Sequence, residues 1–190
     1  MHLIKGACLL IVFCSLHQSL LSQDRTTQLL QDIRNKYQVI NATRPTYRKV
    51  SADAPGATTE GGEVIGYFFK DSIRMIEESL YGEMGKSQTS VYYDKGTPVF
   101  VLLRESTYNV PFYVSTFNSK LTKVAETRSY FYQGKMIRWI NAKKEIFSVR
   151  DKVYIENEAT TLSLAKELYD TVLAADTLKK VLPPVRPKAN

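Results

Sequence analysis

Three times the chain writes two adjacent aromatics, a short polar turn and a β-branched return: "GYFFKDSIRMI" at 66–76, "SVYYDKGTPVFVL" at 90–102 and "SYFYQGKMIRWI" at 129–140. A shift of 38 places Tyr92 and Tyr93 on Tyr130 and Phe131, Gly96 on Gly134 and Val101 on Trp139. The first copy aligns with one gap, Tyr67 and Phe68 on the same pair and Ile73 on Ile137. Gly96 and Gly134 suit turns that need φ > 0, and Lys70-Asp71-Ser72 takes their place in the first copy. One hairpin is barely stable alone, whereas several side by side bury a common face. The pattern therefore predicts an antiparallel meander, with strands near 63–69, 73–80, 89–94, 98–104, 123–132, 135–141 and 145–149.

Helical periodicity flanks this region. Leu29, Ile33, Tyr37 and Ile40 form one stripe, with Asp24 or Thr26 as its cap. Leu162, Ala165, Tyr169 and Val172 form a second within 156–175, with Asn157 as its cap. The segment "SADAPGATTEGGE" at 51–63 reads as a loop. Pro111 argues against a central strand in 105–122. The expected fold is α+β: a meander of six to seven strands with both helices on one face.

The N-terminus constrains the chemistry. Lys5 precedes an apolar run from Ala7 to Leu16, and a polar stretch follows. This is the layout of a secretory signal, expected over 1–22, and the run is too short to span a bilayer. Lipid anchoring through Cys14 is the alternative, although Phe13 precedes it where a lipobox wants a small residue. The remainder divides into a single domain at 23–178 and a Pro-rich disordered tail at 179–190. Both cysteines (Cys8, Cys14) and both histidines (His2, His17) fall in the leader. A mature chain without them has no disulfide, no Ser-His-Asp triad, no Cys-His pair and no structural zinc site.

Of the 26 lysines and arginines only Lys5 lies in the leader, so a surplus of six positive charges remains, scattered along the chain. Nucleic acid is not an expected partner outside the cytoplasm. "GEMGKS" at 82–87 lacks the first glycine of a phosphate-binding loop, because that position is Leu80; it reads as a turn between hairpins. Glu77, Glu78, Asp94, Glu105 and Glu126 are candidate carboxylates for hydrolysis, but no pair among them carries a spacing signature. No cofactor or metal is expected.

All twelve tyrosines and Trp139 lie beyond residue 22. Adjacent aromatics on a strand point to opposite faces. With one face under helices, the other is expected to show an aromatic and arginine surface of Arg74, Tyr92, Tyr130, Tyr132 and Arg138. Its partner would be an envelope protein, a glycan or a lipid.

"TEGGE" (59–63), the Tyr92-Tyr93 pair with its glycine and "VFV", "YNVPFY" (108–113) and "ETRSYFYQGKMIRWI" (126–140) carry a resemblance. Over about residues 27–145 the chain resembles a family of small uncharacterised exported proteins from bacteria of the Bacteroidota type. The resemblance implies a cell-envelope location and a compact antiparallel sheet, and it transfers no catalytic residue. Asp71, where the other two hairpins have glycine, is the departure. The expected function is a non-catalytic envelope or secreted binding protein. The alternatives are a carrier of an apolar ligand between sheet and helices, or a carboxylate-dependent hydrolase.

Overall fold

The computed structural model describes residues 25–58 and 60–181. Helix α1 covers 25–43 and runs through a 3-10 turn at Arg44–Thr46. Seven strands follow: β1 Arg48–Thr58, β2 Gly61–Phe69, β3 Ser72–Gly82, β4 Gly85–Asp94, β5 Thr97–Thr107, β6 Lys123–Tyr132 and β7 Lys135–Ile140. Helix α2, Lys152–Val181, closes the described chain. The strands pair in sequence order, every neighbour antiparallel. The fold is the α+β meander that the hairpin pattern predicts. The expected leader, its cut and Cys14 lie outside the described residues, as does 182–190 of the expected tail. Residues 179–181 belong to α2 rather than to a tail.

The written repeat is a structural repeat. β2–β3, β4–β5 and β6–β7 are hairpins with two-residue turns opened by Lys70, Lys95 and Gln133, at φ 54°, 50° and 50°. Each hairpin carries a β-bulge at the same place. The register slips between Tyr67 and Phe68, between Tyr92 and Tyr93, and between Tyr130 and Phe131, leaving Arg74, Val99 and Ile137 as the extra residues. The gap in the sequence alignment is therefore unnecessary, because Ile73 corresponds to Met136, not Ile137. Gly96 and Gly134 take φ 77° and 73°, whereas in the first turn only Lys70 is left-handed. That difference explains how Asp71 replaces glycine there. Gly134→Ala is expected to cost about 1 kcal/mol, because the Cβ is strained at this φ. Urea denaturation measures it, and Asp71→Ala should cost less.

Two expectations about elements fail for physical reasons. β1 occupies most of the stretch read as a loop. It is an edge strand, where proline removes no needed ladder bond, and its pairing with β2 slips between Asp53 and Thr58, around Pro55 and Gly56. Residues 145–149 form no strand, only a single bridge from Ile146 to Ile140. The Asn141 side chain accepts from Lys143 and Glu145 N–H and curls the segment, with Lys144 at φ 66°. Phe147 then stacks on Trp139 at 4.4 Å between ring centroids. α2 begins at Lys152, before the expected Asn157 cap.

The helices cover opposite faces, not one. Leu30, Ile33 and Ile40 of α1 pack with Tyr47, Tyr67, Met75, Tyr92, Phe100 and Tyr130. Tyr154, Ala165, Leu168 and Val172 of α2 pack with Phe68, Ile73, Val91, Tyr93 and Phe131. The aromatic pairs dictate this: each pair sends one ring to either face, and both rings are buried. A sheet apolar on both sides needs two covers. α2 runs from β7, where the Tyr154 hydroxyl donates to Met136 C=O at 2.6 Å, to β1, where Arg48 pairs with buried Asp176 at 2.5 Å. Gly66 makes room for it, since a Cβ there would lie 2.2 Å from Val172 Cγ1. α1 is held by Lys36 to Asp94 (2.5 Å), and Arg44 following it by Glu77 (3.2 Å).

Candidate functional site

α1 leaves one flank of its face open above β5 and β6. Ile33, Arg34, Tyr37 and Gln38 of α1 form one wall of a cleft of about 260 Å³. Phe100, Leu102 and Arg104 of β5, with Arg128 and Tyr130 of β6, complete it. Strand register builds this surface in rows: Phe100 opposes Tyr130, Leu102 opposes Arg128 and Arg104 opposes Glu126. Residues two apart on a strand share a face, so each row is more polar than the last toward the open end.

The floor is aromatic. Phe100 meets Tyr130 at 4.9 Å between centroids, and Tyr37 meets Phe100 edge-on at 5.5 Å. Tyr37 also lies 5.0 Å from Tyr92, which locks the helix to the sheet beneath the cleft. The rim is cationic. Arg104 Nε donates to Glu126 Oε1 at 2.8 Å, and Arg128 Nη2 donates to Glu126 Oε2 at 2.5 Å. These bonds, Arg104's first, hold the Glu126 carboxyl below its usual range. Arg34 stands exposed on the opposite wall with no ion-pair or hydrogen-bond partner among the described residues. Three guanidinium groups thus face one carboxylate, leaving two positive charges uncompensated over an apolar floor. Arginine presents a planar fork of donors suited to carboxylate or phosphate.

The surface expected from sequence is only partly present. Tyr92 and Tyr130 are buried at 2% and 6% exposure, because α1 covers the face they share. The Tyr92 hydroxyl is bonded to Asn41 at 3.1 Å, and burial pushes it up to about 12. Tyr130 forms floor rather than outer surface. Arg74, Tyr132 and Arg138 are half-buried, Arg74 in the bulge of β3 and Arg138 opposite Tyr130 on β7. The structure brings none of those three into the cleft. No local motif in the sequence marks Arg34, Arg104 or Arg128. Their spacing from Phe100 and Tyr130 was readable, but the strand register and the cover by α1 were not.

The five candidate carboxylates are dispersed. Glu77, Asp94 and Glu126 are tied to Arg44, Lys36 and the Arg104–Arg128 pair respectively. Glu78 points to the other face, where burial raises its carboxyl, and Glu105 shares that parity on β5. No group of three or more His, Cys, Asp or Glu among the described residues is placed to hold a metal ion.

These shifts have opposite consequences for stability. Asp94, Glu126 and Asp176 are lowered, chiefly by hydrogen bonds from Lys36, Arg104 and Arg48. Their contribution is present above the ordinary carboxylate pKa of about 4 and is lost as pH falls through their lowered values. Glu78 is raised, so its cost is present at neutral pH and absent below about 4. Glu78→Gln is therefore expected to raise the urea midpoint at pH 7, with a gain that vanishes near pH 3.5. An equal gain at both values would contradict the assignment.

No helix among the described residues is long and apolar enough to cross a membrane. Comparison of the chain with protein-family models, curated proteins and solved structures gave no match.

Proposed function

We propose that this protein is an exported, non-catalytic binding module whose α1-side cleft takes a small ligand with an anionic head and a flat apolar body. One observation carries the proposal: three arginines around a Phe100–Tyr130 floor answer to a single carboxylate. A carboxylate or phosphate head would bond Arg34 and the outward N–H groups of Arg104 and Arg128. The body would lie on the aromatic floor. A cleft of about 260 Å³ suits one ring and its acid group rather than an acyl chain. Export rests on the leader pattern at 1–22.

Calorimetric titration of the mature chain with phenyl phosphate, benzoate and benzamide tests it. Phenyl phosphate should bind tightest and benzamide weakest, with affinity falling as salt rises. Benzamide binding as tightly as benzoate would overturn the proposal, since the two differ mainly in charge.

A further inference from the structure

The face under α2 changes character along its strands. Toward the hairpin turns it is apolar: Phe68, Ile73, Tyr93 and Phe131 pack under the helix. Toward the other end the same strands turn polar. The register places Glu78, Thr89, Leu103 and Thr127 in one row across β3–β6, beside the row of Ile76, Val91, Val101 and Ser129. α2 adds Asn157, Thr161 and Leu164 above them, and the gap between is a groove of about 310 Å³.

Solvent exposure does not explain these polar side chains. Glu78, Thr89 and Ser129 are only 5%, 4% and 3% exposed. Buried polar groups cost free energy unless bonded, and the neighbouring positions show that valine fits this layer. Glu78 has a Thr89 hydroxyl beside it but no cation paired with it among the described residues, and Glu167 of α2 adds a second negative charge nearby. The groove thus offers hydroxyls and a carboxyl from the sheet and a hydroxyl and an amide from α2, with Leu80, Val101, Leu103 and Leu164 as apolar contacts. That is complementary to a molecule with many hydroxyls around a compact ring, whose C–H face lies on leucine.

We propose that the groove between α2 and β3–β6 is a second binding site, for a neutral hydroxyl-rich ring of the size of one monosaccharide. The site stands on the opposite face from the arginine cleft and is independent of it. Thr89, Thr127, Ser129 and Asn157 exchange hydrogen bonds with ligand hydroxyls, and Glu78 at the base anchors one of them. The carboxyls of Glu78 and Glu167 disfavour acidic sugars.

Amide NMR titration of the full mature chain with glucose, N-acetylglucosamine, glucuronate and propylamine tests the site. Glucose or N-acetylglucosamine should shift the amides of Thr89, Leu103, Thr127 and Asn157 saturably, and leave 33–38 unmoved. Glucuronate should bind at least tenfold more weakly. Thr161→Leu, which fills the groove, and Glu78→Leu should each lower affinity at least tenfold with the dispersion of the free spectrum retained. Glu78→Gln should stay within a few-fold, because the amide oxygen still accepts from a ligand hydroxyl. No saturable shift with either neutral sugar would overturn the proposal. So would Glu78→Leu and Thr161→Leu binding like wild type, or propylamine moving the same amides more strongly than the sugars.

Discussion

Truncating Phe131 to alanine is expected to lower the unfolding free energy by about 4 kcal/mol, the range for a fully buried aromatic. Phe131 has no exposed surface and sits in the layer between sheet and α2. It is the last of three equivalent residues, Phe68, Tyr93 and Phe131, each next to a bulge and each facing α2. Removing its ring leaves a cavity that rigid β-backbone cannot close, bordered by the C=O of Met136 to which Tyr154 is anchored. The loss should appear in urea unfolding as a midpoint lowered by more than 1 M, given slopes of about 1–3 kcal/mol/M. A change below about 1 kcal/mol would show that α2 does not pack there. Tyr130→Ala, one residue away, should instead disturb α1 and the arginine cleft.

Reversing the charge of Arg34 is expected to weaken phenyl phosphate binding by roughly a hundredfold. Hydrogen bonds to charged groups contribute about 1.5–3 kcal/mol each, and a carboxylate in that place adds repulsion. Stability should hardly change with Arg34→Glu, because Arg34 is exposed and makes no ion pair among the described residues. Calorimetry and urea unfolding on the same variant separate the two effects. Arg34→Lys keeps the charge but loses the fork, and should cost only a few-fold. Equal affinity in wild type and Arg34→Glu would remove Arg34 from the site. Arg104→Glu is less informative, since it would also face Glu126 across the β5–β6 pair.

Aromatic pairs and turns made most of the sheet legible. β2 to β7 fall within a few residues of their expected bounds because each carries local signals: β-branched content, a turn and a flanking glycine or lysine. β1 was hidden because its Pro55 and Gly56 speak against a strand, and only its place at the edge makes them acceptable. Residues 145–149 misled in the other direction, since Ile146, Phe147 and Val149 have strand propensity but Asn141 binds the backbone ahead of them into a turn. The side covered by each helix was in principle readable from Tyr67-Phe68, Tyr92-Tyr93 and Tyr130-Phe131. Three pairs of large apolar rings on alternate faces leave no face free for water. The same fact relocates the candidate site. Arginines matter where α1 stops covering the aromatic layer, and that boundary depends on helix placement rather than on any strand's own sequence.

Amide NMR of residues 23–190 titrated with phenyl phosphate gives the most direct decision. Arginine and aromatic recognition predicts saturable shifts confined to 33–38, 100–104 and 128–130, absent with benzamide at the same concentration. Non-saturating shifts spread over the lysine-bearing surface, with those three segments unmoved, would contradict it.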